Sequence, residues 1–371
     1  MTTPQIPNKL RQRLSELLCT QHVLIGEDLK NFSLTQAAVD EGVDLLLWPD
    51  VSDTRVDIDL TAVQERQKEY ALWHLRMKNA LRQVLVSLDA AAIPVIVLRG
   101  LSLSTTLYAD ARQRPQSDID LIFKPKHVLQ AKQVLWDAGF RVDSVYANIF
   151  NRGDIQLDIH AEPLGIERIQ AWAYLTPLRA VDFFTHAQEG ELLGEKTLLV
   201  HPRVNLPYLC FHAMKHSFER LIWLYDIALL SKQIEADGLW DEVLKGIQEY
   251  RLERPCFYAL SYAQKYLGGV VPDAIMVKLC PDMGWAERRL FAKYMNHDIV
   301  PYLAERLFAR MQPDFKHRLK FWRETIYPRY EIRQQMANGG CVKCSFIRKR
   351  LKQLFKVFAW PFRKGLAVFK K

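Results

Sequence analysis

The chain of 371 residues has few cysteines, no long apolar run and a stretch near its end that holds no acid. Six cysteines (Cys19, Cys210, Cys256, Cys280, Cys341 and Cys344) are too few and too scattered to staple a chain of this length. A disulfide-framed scaffold is thereby excluded, and most of these thiols are expected in cores. No apolar run approaches the ~18 residues of a membrane span, and the opening MTTPQIPNKLRQRLSELLC lacks the charged-then-apolar layout of a signal peptide. The expected address is cytoplasmic. Acid is missing from residues 341–371, which carry ten Lys or Arg and neither Asp nor Glu. The whole chain stands at +9, so removing those ten cations leaves −1 for the rest. A near-neutral body argues against a nucleic-acid groove, and the basic tail calls for an anionic partner.

What is present is apolar patterning. Hydrophobic residues make up 49% of the chain, enough for a large core in two or three domains, which excludes disorder and fibrous repeats. Helical periodicity covers 8–19 and 61–88, where Leu72, Leu75, Met77, Leu81, Val84, Leu85 and Leu88 return to one side. Ile93 to Leu98 reads as a buried strand ending at Arg99-Gly100, and Ser102 as the cap of a helix running through Tyr108. Asp118 to Phe123 is expected as a second strand, and Lys126 to Ala138 as a helix stopped by Gly139. Phe140–Phe150 and Asp154–His160 are expected as the arms of a hairpin around Asn151-Arg152-Gly153. The expected domains are an N-terminal helical region (1–89), a core (90–200), a C-terminal helical domain (201–337) and a basic amphipathic tail (338–371).

Asp118 and Asp120 stand two apart on an expected strand. Both side chains therefore point to one face and can reach one hard cation with oxygen ligands. Asp158, on a neighbouring arm, is the carboxylate that can complete a two-metal site, in which one ion sharpens a nucleophile and the other steadies a leaving pyrophosphate. Gly100 allows a triphosphate close to the backbone, and the helix start after it offers free N–H groups. These parts suit nucleotidyl transfer. Asp57-Ile58-Asp59-Leu60 repeats the same four letters without a glycine turn before it, and reads as an exposed loop and helix start.

Arg99-Gly100, the helix ending in Leu107-Tyr108, an Arg-Pro loop, Ser117-Asp118-Ile119-Asp120-Leu121 and Leu157-Asp158-Ile159-His160 together resemble the uncharacterised nucleotidyltransferase family of the DNA polymerase β superfamily, whose relatives include aminoglycoside nucleotidyltransferases. The likeness extends to Leu209–His216 and Trp223–Ile227. It implies an α+β fold, with a polymerase β-like mixed sheet core, N-terminal helices and a C-terminal helical domain. It also implies two Mg²⁺ and an NTP donor, ATP being the expected one. Asp118 and Asp120 become shared metal ligands, and Asp158 the third ligand and base. Arg99, Gly100, Ser102, Arg114 and Ser117 fall to the nucleotide. Two positions depart from the family pattern: Leu101 follows the glycine where Gly or Ser is usual, and Arg99 stands where Lys is common. Arginine keeps the charge and adds a bidentate fork.

Tyr208, His212, His216, Glu219, Trp223 and Asp226 form one stripe if Asn205 to Leu230 is a single helix. It either faces the carboxylates and holds the substrate, with His160 beside it, or makes a hydrogen-bonded seam between helices; zinc lacks a fourth ligand. In the tail, Ile347, Leu351, Leu354, Phe355 and Phe358 recur at helical spacing among Lys and Arg. That suits an anionic membrane surface, docking on the protein's own body, or nucleic acid, in that order. The expected function is metal-dependent transfer of a nucleoside monophosphate to a hydroxyl of a small molecule, saccharide or protein, with release of pyrophosphate. The alternatives are a catalytically degenerate nucleotide-binding module recruited to the membrane by its tail, and a membrane scaffold without nucleotide. The duplicated tetrapeptide supplies a control. Asp118→Asn is expected to abolish Mg²⁺-dependent pyrophosphate release while Asp57→Asn leaves it intact, and equal losses would show the wrong copy to have been chosen.

Overall fold

The computed structural model describes residues 8–20, 32–47, 61–166, 169–295, 303–328 and Arg333. Asp57 to Leu60, Cys341, Cys344 and the basic tail lie outside the described residues. Two compact units form. The first joins Met1–Val142, Asn148–Pro163 and Leu178–Asp282; the second joins Asp143–Ala147, Leu164–Pro177 and Met283–Lys371. In the second unit, the Leu303–Met311 and Phe315–Ile326 helices flank a short turn at Gln170–Tyr174. There Trp172 packs on Phe308, and the Ala171 N–H donates to Glu324.

The first unit is built on a mixed seven-stranded sheet, so the expected α+β fold is present. Its strands are β1 (Ile96–Leu98), β2 (Ile119–Ile122), β3 (Arg141–Val142), β4 (Ile149–Arg152), β5 (Ile155–His160), β6 (Gln188–Leu192) and β7 (Glu195–Leu199). Their order is β3-β4-β5-β2-β1-β7-β6, with β2–β5 and β1–β7 parallel and the other pairs antiparallel. Strand alternation sorts the side chains. Ile119, Leu121, Leu157 and Ile159 join Met77, Leu81, Val84 and Leu88 of the Thr61–Ala90 helix in one buried cluster. The alternate positions, Asp120 and Asp158 among them, are turned to the opposite face.

Three local expectations need correction, and one element was not anticipated. The helix after β1 begins at Gly100 itself, because Arg99 and Gly100 both take positive φ (47° and 26°) and turn the chain at once; Ser102 is inside the helix, not its cap. The hairpin turns at Gly153-Asp154, since Asn151 and Arg152 are still paired with Gln156 and Ile155. The proposed single helix over 205–230 is two, Pro202–Lys215 and Leu221–Ala236, separated where Ser217 and Phe218 adopt φ of 54° and 53°. The β6–β7 hairpin carried no clear alternation in its residues, and its parallel pairing with β1 is a long-range event.

Candidate functional site

Register creates the site. Asp120 of β2 stands opposite Leu98 of antiparallel β1 on one side and Asp158 of parallel β5 on the other. His160, two places beyond Asp158, shares its face. The result is a cluster in which one ligand atom each from Asp120, Asp158 and His160 lie within 4.8 Å of one another. His160 Nε2 is 2.8 Å from Asp120 Oδ1 and 3.5 Å from Asp158 Oδ2.

Arg99 closes the cluster from β1. One Nη donates to Asp120 Oδ1, and the other lies 2.6 Å from His212 Nδ1 and 3.0 Å from His212 Nε2. The ring of Tyr208 is beneath the guanidinium, 5.9 Å from centroid to carbon. Arg99 Nε is buried and has no hydrogen-bond partner among the described residues. The first-turn amides of Gly100, Leu101 and Ser102 begin the helix next to it, where no preceding helical carbonyl is available.

The electrostatics follow from this packing. Burial raises the Asp120 carboxyl, but Arg99 and His160 more than offset that and hold it at about 2. At Asp118, burial and the neighbouring Asp120 charge outweigh the pull of Arg99 and the Ser117 hydroxyl and push the carboxyl up to about 6. Burial also raises Asp158. His212 is held well below the ordinary imidazole range by burial and by Arg99, so it is neutral and can accept from that arginine. Three acids at one strand end, two of them raised, form a site where an added cation would favour ionisation. Two carboxylates and an imidazole suit a divalent ion, the carboxylates in particular a hard one.

The expected site residues separate into two groups. Arg99, Gly100, Asp118, Asp120, Asp158, His160 and His212 come together. Asp118 is outside the mutual three-residue set, yet its charge couples to Asp120 and Asp158. Ser117 Oγ is 3.4 Å from Asp118 Oδ1. His216 is exposed, joined to His212 and Trp223 through ring contacts of 4.7 and 5.1 Å. Arg114 and Asp226 depart from the expectation of ligand contacts. Arg114 Nε and Nη2 donate to the two carboxylate oxygens of Asp226 at 2.8 and 2.7 Å, Tyr108 Oη adds a bond of 2.7 Å to the same carboxylate, and all three side chains are buried. This pair pins the 111–117 loop to the Leu221–Ala236 helix; both partners are spent on structure. The residue whose position sequence reasoning valued too little is His160. The available signal was its spacing of two from Asp158.

Residues 31–268 match the family described as uncharacterised nucleotidyltransferase, and the chain belongs to that family. It is thereby a nucleotidyltransferase, an enzyme that transfers a nucleoside monophosphate. Two solved structures are similar in part. One is the solution structure of the antibiotic-resistance factor ANT(2'')-Ia, with 15% identity over 46% of this chain and 91% of that chain, and a TM-score of 0.32. The other is a crystal structure of ANT(2'')-Ia in complex with adenylyl-2''-tobramycin, with 14% identity over 47% and 98%, and a TM-score of 0.34. At these values the likeness carries no argument about the present chain. No curated protein matches its sequence.

Asp226→Ala leaves Arg114 buried and unpaired, so it is expected to cost about 3–5 kcal/mol in denaturant unfolding. The paired replacement Arg114→Met with Asp226→Leu should recover most of that loss. A cost below about 1 kcal/mol for Asp226→Ala would contradict the pinning role.

Proposed function

We propose that the chain transfers a nucleoside monophosphate from an NTP, ATP being the first candidate, to a hydroxyl of an acceptor, and that it depends on a divalent metal, Mg²⁺ by choice. The observation that carries this reading is the side-by-side register of Asp120 and Asp158 with His160, next to a strand–Arg-Gly–helix turn. Asp120 and Asp158 with His160 fit one ion, and Asp118 with Asp120 a second. When bound, these ions would supply charge stabilisation for the entering and leaving oxygens.

The chain's own groups would do the rest. The Gly100 turn and the amides of the following helix, with Ser102 and Ser117 nearby, receive the phosphates. Arg99 is held ready by His212 and Tyr208, and its unpartnered Nε is a donor available to a phosphate oxygen. The acceptor oxygen bonds to the α-phosphorus as the bond to pyrophosphate breaks. The hydroxyl proton passes to the Asp158 carboxylate, whose raised pKa suits a base. Leu101 is buried under this turn, so the departure from the family pattern fills a core position and removes no exposed donor.

A second reading, a nucleotide-binding module without turnover, has one observation in its favour: Asp120 is already engaged by Arg99 and His160. Under either reading, the stretch 341–371 is proposed to meet an anionic membrane surface. Among the described residues no helix is long and apolar enough to cross a membrane.

Incubating the full chain and cell extract with Mg²⁺ and each α-labelled NTP reads both label transfer and pyrophosphate. Transfer from one NTP is expected, and Asp158→Asn should lower it at least about 100-fold, as the loss of several kcal/mol of transition-state stabilisation requires. Nucleotide binding with no pyrophosphate from any NTP would favour the second reading.

A further inference from the structure

A cleft of about 600 Å³, a size that suits a small molecule, adjoins the loop that leads into Asp118. Its walls come from Arg66 to Arg76 of the Thr61–Ala90 helix, from the 115–117 loop and from Arg220. Ser117, in the wall, touches Asp118, and Gln116 backs onto the phosphate turn: a Cβ added to Gly100 would stand 2.9 Å from Gln116 Oε1. The loop is held by two residues that themselves line the cleft. Tyr70 Oη donates to the Arg114 carbonyl at 2.7 Å, and Trp73 Nε1 donates to the Gln116 carbonyl at 3.1 Å.

The cleft's cations keep donors to spare among the described residues. Arg220 has its Nε buried, and its guanidinium makes no hydrogen bond or ion pair among the described residues. Each nearby acid is already committed. Glu41 pairs with Arg11 and caps the Leu221 N–H, Asp44 accepts from Arg66 Nε, and Asp226 is taken by Arg114. Burial, with Arg114, lowers the Arg220 pKa in spite of those acids. Arg66 spends only its Nε, and Arg76 stacks over Trp73 while pairing through one Nη with Asp154. Both amide atoms of Gln116 are buried without a hydrogen-bond partner among the described residues. The half-buried Arg220 guanidinium lies over the Trp223 ring, 5.9 Å from carbon to centroid, and its buried Nε and the Gln116 Nε2 are donors whose unmade hydrogen bonds cost free energy that a bound anion would recover. The lining offers three arginines against one acid, Glu69.

We propose that this cleft is the acceptor site, and that the acceptor is an anionic hydroxyl compound whose phosphate or carboxylate is held by Arg220 and Arg66 while Gln116 orients the part nearest Asp118. The assignment rests on the nucleotidyl-transfer reading. The donor's phosphates already have the Gly100 turn, Arg99 and the metal carboxylates, so these further cations answer to a second anion. A polycationic acceptor would meet like charge here.

The test titrates full-length wild type, Arg220→Gln and Arg66→Gln with inorganic phosphate without metal, and separately with Mg·ATP, using thermal melting to check folding. Phosphate affinity is expected to fall at least tenfold in both variants while Mg·ATP affinity stays within twofold of wild type. Variants that melt like wild type and bind phosphate equally well would overturn the proposal, as would wild type without saturable phosphate binding. Joint loss of phosphate and Mg·ATP would give the cleft to the donor and overturn the acceptor assignment. Arg66, the more exposed arginine, decides alone if Arg220→Gln fails to fold. A wild type that binds phosphate through these arginines but never Mg·ATP would sink the nucleotidyl-transfer reading and leave the anion site standing.

Discussion

Two carboxylates placed side by side on parallel strands repel each other, and the first unit is organised around that repulsion. Asp120 and Asp158 are register partners, so the backbone allows them no retreat. Their compensation comes from the side: Arg99 reaches Asp120 from β1, and His160 lies between the two acids. Arg99 can do this because the chain turns at positive φ immediately after β1, and the turn also starts the Gly100–Leu107 helix. One bend therefore positions both the compensating cation and the amides proposed for phosphate. The same bend explains why glycine stands at 100, where a φ of 26° would strain any other side chain.

Support for that arrangement extends outward in layers. His212 and Tyr208 of the Pro202–Lys215 helix hold the guanidinium, which ties the helical part of the unit to the sheet. The Arg114–Asp226–Tyr108 network secures the loop leading into Asp118. Tyr70 and Trp73 secure the same loop from the long helix. The loop before the acids is thus anchored on two sides, and the arginine-lined cleft lies along it. A structure that fixes a loop so firmly beside a vacant set of donors suits a substrate that must be oriented.

The central strands were legible in the sequence because β-branched runs and strict alternation depend on neighbours two residues apart. The placement of Asp120 and Asp158 on one face of the sheet could be read for the same reason. What failed depended on longer range. The break at Ser217-Phe218 has no Gly or Pro to announce it, so a stripe drawn across it joined two helices and sent Asp226 to the wrong partner. Arg114 looked like a phosphate contact from its place in the loop, while its actual partner is 112 residues away. The cleft was equally invisible, since Arg66, Gln116 and Arg220 converge only after the N-terminal helices have packed.

The central claim is that Asp120 and Asp158 jointly hold a divalent ion. Binding of Mn²⁺ to the full chain, followed by electron paramagnetic resonance, tests it without requiring knowledge of donor or acceptor. Wild type is expected to bind the ion, and Asp120→Asn and Asp158→Asn, each still folded, are expected to lose it. Folded Asp158→Asn protein that binds Mn²⁺ as tightly as wild type would contradict the account.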